Sequence, residues 1–324
     1  MLFVGAGAVG GYFGGRLCKS GADATFFVRP ETYDHISGNC LTIKSIHGDF
    51  WVHPFLIHNI SQISSVDLVV LAVKCYDILP VLKEIAPLVE KGAVILTLQN
   101  GVDIEEQVLS YYKRECVVAG LAYITARLAS PGVIEHYRRG MISLGELSAE
   151  KSDRATQIYD LFSKAGISYT LRSRILKAKW EKLCWNATFN PLSVILDAPI
   201  SLILDSPSLL EIVRRGISEV MDVASAEGIR LNPDTIRETI SSSNPFRNYH
   251  TSMYEDYKNG KQTEIEYLNG AIIRRGKKVN IPTPTHQMLY PLVKGLVMNR
   301  SLRSSDTPQD GSDRESGLVH EKES

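Results

Sequence analysis

A row of three polar residues stands out in the second half of the sequence. Lys182, Asn186 and Asn190 recur every four residues within the segment KWEKLCWNATFNPL, which covers 179–192. Four residues advance a helix by about 400°, so neighbouring members of the row share one face. An ammonium stabilises negative charge that develops on a nearby oxygen and can donate a proton to it, while carboxamides bind carboxylate and hydroxyl groups. The row therefore predicts a site that binds and protonates a small polar molecule.

The helix that carries this row is expected to be buried. Four apolar residues line the neighbouring face at helical spacing: Trp180, Leu183, Cys184 and Ala187. No charged residue occurs in 183–196, and buried polar side chains need hydrogen-bond partners. The alternative is a solvated face, although asparagine is a poor residue for a helix interior. Pro191 disfavours helical backbone at Asn190, which predicts that the helix kinks or ends there.

The first residues form a second motif, GAGAVG, between a short apolar run and a helical pattern. The first glycine allows a tight turn, the second lets the backbone approach a pyrophosphate, and the third lets the helix pack against the strand. Free N–H groups at the helix N-terminus would then bind the phosphates. We therefore expect a dinucleotide cofactor to be bound by Gly5, Ala6, Gly7, Ala8, Val9 and Gly10. The alternative is a glycine-rich helix that packs against a sheet.

Three further predicted strand ends carry polar residues. Arg29 follows the second strand, where an acidic residue would bind the ribose of NAD and an arginine accommodates the 2′-phosphate of NADP. We therefore predict NADP(H), with the nearby Glu31 as a counter-indication. Lys74 is expected near the cofactor phosphate or ribose. Asn100 is expected near the nicotinamide, because Gly101 permits close backbone approach. Ordinary loop and capping roles are the alternatives.

The first half of the sequence alternates strand and helix patterns. Short apolar runs predict buried parallel strands at 2–4, 24–28, 67–73 and 93–98. Helical patterns separate these runs at 8–20, 77–89 and 103–112. Glycine-containing turns at 47–49 and 139–140 predict two hairpins. A helix near 152–165 and a strand at 167–171 are expected to close this half.

After residue 172 only helix patterns remain, at 173–190, 206–228, 233–243, 263–279 and 284–298. The stretch from Thr263 to Glu266 matches a capping box, which predicts a helix start. The predicted fold class is an α/β N-terminal Rossmann-type domain, 1–172, followed by an all-α C-terminal domain, 173–300. The stretch 301–324 contains few large apolar residues and is expected to be a disordered tail.

Composition argues against several classes of protein. The 324 residues include 36 basic and 36 acidic side chains, so electrostatic attraction to nucleic acid or an anionic membrane is not expected. No apolar run reaches the ~20 residues of a membrane span, and the start lacks the basic segment of a signal peptide. Five scattered cysteines argue against disulfides, and no metal site is expected. We expect a cytoplasmic protein with a small-molecule substrate, and a homodimer is compatible with these features.

Together the motifs resemble those of the ketopantoate reductase (2-dehydropantoate 2-reductase) family. In the first half the resemblance rests on GAGAVGGYFGGRL at 5–17, Arg29, AVK ending at Lys74, and QNGV at 99–102. In the second half it rests on WEKLxxNxxxNPL from 180, SMxxD from 252 and TEIEYLNG from 263. These segments span nearly the whole folded chain in the expected order, and the second-half pattern is far more specific than the glycine loop.

The resemblance implies a role for each matching residue. Lys182 matches the catalytic lysine of the family, and Glu264 matches the glutamate paired with that lysine's site. Substrate contacts are implied for Asn100, Asn186, Asn190 and Ser252. Asn100 and Glu264 are also expected to contact the cofactor. The implied reaction is NADPH-dependent reduction of ketopantoate to D-pantoate, in the biosynthesis of pantothenate and coenzyme A. Hydride reaches the C2 ketone, and Lys182 acts as the general acid.

Two positions depart from the family pattern. Some members carry asparagine where this chain has Ile200, and another expected asparagine is replaced by Tyr249. Both changes concern substrate contacts, so a related NADP-dependent reductase of another branched 2-oxo acid is an alternative. A β-hydroxyacid dehydrogenase is another, because that group resembles this layout and also uses a lysine with an asparagine four residues later. The non-enzymatic alternative is an NADP-binding regulator, which would have lost Lys182, Glu264 and Ser252.

Overall fold

The computed structural model describes residues 1–148 and 152–305. Its first half contains a mixed sheet, and the strands among the described residues are β1 (Leu2–Val4), β2 (Thr25–Phe27), β3 (Leu41–Ser45), β4 (Phe50–Val52), β5 (Phe55–Ile57), β6 (Leu68–Leu71), β7 (Val94–Thr97), β8 (Val117–Ser130), β9 (Val133–Glu146) and β10 (Ser168–Leu171). The helices of this half are α1 (Ala8–Lys19), α2 (Pro30–Ser37), α3 (Ile78–Glu84), α4 (Ala86–Val89), α5 (Ile104–Leu109) and α6 (Asp153–Lys164).

Parallel pairing forms one end of this sheet. The strand order is β4-β3-β9-β8-β7-β6-β1-β2-β5, with β10 paired to β9. Strands β7, β6, β1, β2 and β5 pair in parallel, as expected for short apolar runs buried on both faces. The pairs β8–β9 and β3–β4 are antiparallel. The four predicted buried strands are thus confirmed as β1, β2, β6 and β7, and β3–β4 forms the hairpin predicted at 47–49.

The sheet curls around α1. Strands β4 and β5 lie at opposite ends of the strand order, yet only His53 and Pro54 separate them in the chain. Because so short a connection spans about 11 Å at most, the two ends of the sheet must approach each other, which makes it a half-barrel. Helix α1 packs against β1, β3, β4, β8 and β9.

Glycines allow α1 to fit against the curled sheet. A Cβ at Gly11 would lie 2.1 Å from Ile134 Cδ1, and a Cβ at Gly14 would lie 2.4 Å from Phe26 Cζ. Both distances are far shorter than van der Waals contact. These two glycines therefore serve to pack the helix against the sheet, as in the alternative interpretation of the motif. The glycines of the preceding loop belong to the candidate cofactor site.

The second predicted hairpin is wrong. Residues 133–146 form the single strand β9, which pairs with β8 along its length. Arg139 (φ 61°) and Gly140 (φ 97°) have left-handed backbone, and the register shifts there, so these turn-type residues form a β-bulge. The chain turns instead at Pro131 and Gly132, where Gly132 has φ 76°.

The second half is helical, as predicted. Its helices among the described residues are α7 (Ile175–Leu196), α8 (Ile200–Asp205), α9 (Pro207–Ala226), α10 (Thr235–Ser241), α11 (Ser252–Lys258), α12 (Asn269–Lys278) and α13 (Pro284–Ser305). Helix α7 packs against α9, α11 and α13 and also against β8 and β9 of the sheet. It therefore forms the main contact between the two halves.

Helix α7 does not end at Asn190, because it continues through Pro191 to Leu196. Proline has no N–H, which leaves the carbonyl of Ala187 without its helical partner. Asn269 Nδ2 donates to that carbonyl at 2.9 Å. A side chain from α12 thus replaces the missing bond and stabilises the helix across the proline.

Two other boundaries differ from the predicted ones. Helix α12 begins at Asn269 rather than at Thr263, because residues 264–268 form turns in which the carbonyl of Glu264 accepts from two following N–H groups. Helix α13 runs to Ser305, past the predicted end of the helical half, and the remainder of the predicted tail, 306–324, lies outside the described residues. A search of the described helices finds none with the length and apolarity needed to cross a membrane.

Candidate active site

The C-terminal ends of β6 and β7 meet the helical half at one junction. Lys74 Nζ donates to Asp256 Oδ2 at 2.6 Å. The N–H of Cys75 donates to Glu264 Oε1 at 3.0 Å, and Asn100 Nδ2 donates to Glu264 Oε2 at 3.4 Å. Polar residues predicted at two separate strand ends are therefore brought together by carboxylates of the other half.

Glu264 is buried at this junction and negatively charged. Burial alone would raise the pKa of its carboxyl, but the charge of Lys74 and the hydrogen bonds from Cys75 and Asn100 lower the pKa below its ordinary value. Glu264 does not lie in the first turn of a helix, where a carboxylate would interact favourably with the helix dipole, because α12 begins five residues later. Its side-chain partners lie in the other half of the chain.

Lys74 is the cation of this cluster. Its Nζ also lies 3.9 Å from Glu264 Oε2. Burial alone would lower the pKa of Lys74, but Glu264 and Asp256 outweigh burial and raise it. Asp256 lies on α11, four residues after Ser252, so both face the same side of that helix. Ser252 is exposed at the helix N-terminus, where Thr251 rather than Ser252 provides the cap.

Lys182 projects from α7 toward β8. Its Nζ donates to Ala122 O at 2.5 Å and lies 5.2 Å from the centroid of the Tyr123 ring. Burial lowers the pKa of Lys182 to about 7, and Lys179 acts in the same direction while Glu264 opposes it. Because the carboxylate of Glu264 is bonded elsewhere, it acts on Lys182 through its charge and not through a direct ion pair.

Asn186 and Asn190 follow Lys182 along α7 and are buried, with 6% and 3% of their surfaces exposed. Neither side chain has a hydrogen-bond partner among the described residues, and Asn190 Oδ1 is fully enclosed. An unpartnered buried polar group costs about 1–3 kcal/mol. The two carboxamides of the predicted polar row are therefore buried, while Lys182 is partly exposed, and the carboxamides have hydrogen-bonding capacity left for a ligand.

The glycine loop fits a dinucleotide. Gly5 has φ 98°, which favours glycine, and a Cβ at Gly10 would lie 2.1 Å from Gly5 O. A Cβ at Gly7 would meet nothing within 4 Å, so open space lies before the N-terminus of α1. The first turn of α1 carries no acidic residue, and Gly7 supplies no side-chain cap. The free N–H groups of this turn are therefore available to phosphate.

Arg29 lies beyond β2, as predicted, and forms an ion pair with Asp77. The distance from Arg29 Nη2 to Asp77 Oδ2 is 2.7 Å, and the side chain of Arg29 is 68% exposed. Asp77 follows β6 and was not expected from the sequence. Arg29 thus binds an anionic group at the strand ends. That group is a carboxylate of the protein itself, whereas the sequence predicted a cofactor phosphate.

Sequence reasoning also missed a buried ion pair between Lys179 and Glu105. Oε1 of Glu105, on α5, bonds to Lys179 Nζ and accepts from Thr97 Oγ1 at 2.7 Å. Neither residue is conspicuous in the sequence. Lys179 lies at ordinary helical spacing before the polar row, and Glu105 lies in the first turn of its helix, where glutamate is common. Only the two together, on elements that pack against each other, reveal the pair.

The two departures from the family pattern lie next to each other. The N–H of Ile200 donates to Tyr249 O at 3.1 Å. Ile200 is buried among the helices, with 1% of its surface exposed. The half-buried Tyr249 ring lies 6.4 Å from the Tyr137 ring and 5.8 Å from the guanidinium of Arg138, both on β9. Aromatic and aliphatic groups thus occupy positions where a polar contact was expected.

Comparison with known proteins identifies relatives of the whole chain. The model of ketopantoate reductase PanE/ApbA matches residues 1–149, and that of its C-terminal domain matches residues 174–297. A 2-dehydropantoate 2-reductase from Nostoc sp. is 30% identical over 301 residues, which cover 90% of this chain and 93% of the relative. The crystal structure of the enzyme of that name from Geobacter metallireducens has a TM-score of 0.86 and 31% identity, and the match covers 91% of this chain and 99% of that one.

A second solved structure, D-mandelate dehydrogenase with NADH and anilino(oxo)acetate, is similar over the same extent. Its TM-score is 0.87 and its identity 28%, and the match covers 93% of this chain and 99% of that one. The fold, the order of the two halves and the sequence relationships agree. The chain belongs to the ketopantoate reductase family of oxidoreductases.

Proposed function

We propose that the protein reduces ketopantoate, or a closely related 2-oxo acid, to the D-2-hydroxy acid with NADPH as the reductant. The observation that carries this proposal is the position of Lys182 on the same helix face as Asn186. The pKa of Lys182 is about 7, and Asn186 and Asn190 are buried carboxamides without hydrogen-bond partners in the part of the chain that the structure describes. A 2-oxo acid offers a carbonyl oxygen to the lysine and a carboxylate or hydroxyl to the carboxamides.

Residues 1–172 form the proposed cofactor-binding half. The loop from Gly5 to Gly10 would bind the pyrophosphate at the N-terminus of α1. Arg29 would bind the 2′-phosphate of NADP in place of Asp77, since a guanidinium fork matches phosphate geometry. Lys74 and Asn100 would adjoin the ribose and the nicotinamide. A bound nicotinamide supplies the hydride, which no side chain of the protein provides.

Lys182 is the proposed general acid. As negative charge develops on the carbonyl oxygen, the ammonium first stabilises that charge and then donates its proton. The product gains one C–H and one O–H bond, and Lys182 is left as a neutral amine that solvent reprotonates. A lysine whose pKa is about 7 gives up this proton more readily than an ordinary lysine.

The other polar side chains of the helical half, 173–300, would position the substrate and the cofactor. Asn186, Asn190 and the hydroxyl of Ser252 would bind the carboxylate and hydroxyl groups of the substrate without adding charge. Glu264 holds the backbone of Cys75 and the amide of Asn100, and so orients the group expected beside the nicotinamide. Its negative charge also keeps Lys182 more protonated than burial alone would allow.

The test is oxidation of NADPH by ketopantoate, with NADH as the control reductant. We expect turnover with NADPH and a kcat/KM at least about tenfold lower with NADH, because only NADPH carries the phosphate that Arg29 binds. A panel that adds 2-oxoisovalerate and similar acids defines the substrate. Absence of turnover with every 2-oxo acid in the panel would contradict the proposal.

A second candidate substrate class is the aromatic 2-oxo acids. Tyr249 replaces an expected asparagine and faces Tyr137 and Arg138 across the two halves. Aromatic rings at the edge of the substrate site would favour a flat side chain on the substrate. The similar D-mandelate dehydrogenase structure contains an aromatic oxo acid, anilino(oxo)acetate. Including phenylglyoxylate in the panel separates the two classes, since the ketopantoate assignment requires ketopantoate to have the higher kcat/KM.

A further inference from the structure

A buried ion pair lies one turn before the polar row of α7. Lys179 is 1% exposed, and its Nζ forms an ion pair with Oε1 of Glu105. The same ammonium donates to Gln99 O at 3.5 Å, and Thr97 donates to the same carboxylate oxygen. The pair therefore joins α7 to residues on both sides of the turn that carries Asn100.

The cost of this arrangement points to a use for its charge. Removing two ions from water is unfavourable, and well-packed apolar residues often replace a buried ion pair without loss of stability. Glu105 Oε2 is moreover buried without a hydrogen-bond partner among the described residues. Holding α5 against α7 alone would not require an ammonium at this position.

Several charged and titratable groups surround Lys182. They are Lys179 on α7, Arg139 at the bulge of β9, Tyr123 on β8, Cys75 after β6 and Glu264 before α12. Two of them are positive. Arg139 is exposed, so solvent and salt screen its charge, whereas Lys179 is enclosed by protein and acts in a low dielectric.

We propose that Lys179 is a positioning residue for proton donation: Glu105 fixes its ammonium in the core three residues before Lys182, and this second positive charge eases release of the Lys182 proton to the substrate. The inference rests on the proposed role of Lys182 as general acid. The helix fixes the distance between the two Cα atoms. The contacts with Glu105 and with Gln99 O direct the Lys179 Nζ toward the turn of Asn100.

The test is the pH dependence of kcat/KM in the double variant Lys179→Met/Glu105→Gln. Removing both charges avoids leaving one of them buried and unpaired, and an amide oxygen at 105 still accepts from Thr97. We expect the alkaline limb to move to higher pH by roughly half a unit or less, because the repulsive charge of Lys179 acts on Lys182 more strongly than the opposing charge of Glu105, which is lost with it. Loss of a merely structural contact would lower rates without moving the limb.

The matched control is Lys177→Met, which removes the same charge from α7. Lys177 is partly exposed, and its Nζ lies 4.0 Å from Glu181 Oε1. Its pH profile should be that of the wild type. Glu105→Asp provides a second variant that retains both charges. Its shorter carboxylate compensates Lys179 less well, so the alkaline limb should move to lower pH.

A double variant that melts like the wild type and keeps the wild-type alkaline limb overturns the inference. If the double variant does not fold, an unmoved limb in Glu105→Asp overturns it equally. Neither result affects the proposed function, which fails separately if no 2-oxo acid of the panel is reduced. The role of Lys182 on which the inference rests fails separately if Lys182→Ala retains turnover.

Discussion

The carboxylate of Glu264 accepts a hydrogen bond from the backbone N–H of Cys75 at 3.0 Å, across the junction between the two halves of the chain. This bond joins the end of a sheet strand to a turn in the helical half. It places a negative charge beside Lys74 and Asn100 and at longer range from Lys182. One buried carboxylate of the helical half thus acts on charged and polar groups of both halves.

Glu264→Gln should lower kcat/KM at neutral pH by about tenfold. The variant retains an oxygen for the Cys75 N–H, so the bond to the backbone can persist. It removes the negative charge that raises the pKa of Lys182, so the alkaline limb of the pH profile should move to lower pH. A limb at the wild-type position would show that Glu264 acts through hydrogen bonding alone.

Lys182→Ala should reduce turnover by a factor of roughly 10² to 10⁴, the contribution typical of a general acid. NADPH should still bind with an unchanged Kd, measured by fluorescence titration, because Lys182 is not part of the proposed cofactor site. Lys177→Ala is the control, since it removes a partly exposed lysine from the same helix that pairs with Glu181 and not with the proposed site residues. Normal reduction rates in Lys182→Ala would refute the assignment of the general acid.

The pH profile of the wild type should show an alkaline limb. Lys182 must be protonated to act as a general acid, and burial sets its pKa at about 7 in the free enzyme. The value of kcat/KM should therefore fall as the pH rises through about 7. Binding of a substrate carboxylate favours the charged ammonium, so the limb of kcat should lie at higher pH than that of kcat/KM. A profile that stays flat to pH values well above 7 would contradict this expectation.

Arg29→Ala should weaken NADPH binding by roughly ten- to hundredfold, the value of one or two hydrogen bonds to a charged group. The Kd of NADH should change little. Asp77→Asn is the informative partner variant, because it removes the carboxylate that Arg29 now pairs with. It should bind NADPH at least as tightly as the wild type, and weaker NADPH binding in that variant would place the 2′-phosphate elsewhere.

Gly10→Ala should affect mainly stability, and Gly7→Ala mainly cofactor binding. A Cβ at Gly10 would lie 2.1 Å from Gly5 O, whereas a Cβ at Gly7 meets nothing within 4 Å. Gly10→Ala should therefore lower the free energy of unfolding by roughly 1–3 kcal/mol or more. Gly7→Ala should change it by only about 1 kcal/mol but weaken NADPH binding, since we propose that this glycine admits the pyrophosphate. Thermal melts and cofactor titrations of both variants separate packing from binding.

Local patterns predicted the elements that depend on short-range physics. The runs that became β1, β2, β6 and β7 were recognisable because strands buried on both faces need continuous apolar residues. The predictions from local sequence patterns were wrong where the same residue types occur in two different backbone structures. Arg139 and Gly140 have turn chemistry, but long pairing with β8 turns them into a bulge. Pro191 would end an isolated helix, and Asn269 satisfies the carbonyl that it frees.

The sequence by itself determined that Lys182 and Asn186 share a helix face, that a glycine loop precedes α1, and that the chain has an α/β half followed by a helical half. These features depend on helical periodicity and on backbone conformation over a few residues. Only the tertiary structure decided the partners of Glu264, Lys74 and Lys179. Those contacts join residues far apart in the chain, and burial, which sets their charge states, exists only once the two halves pack together.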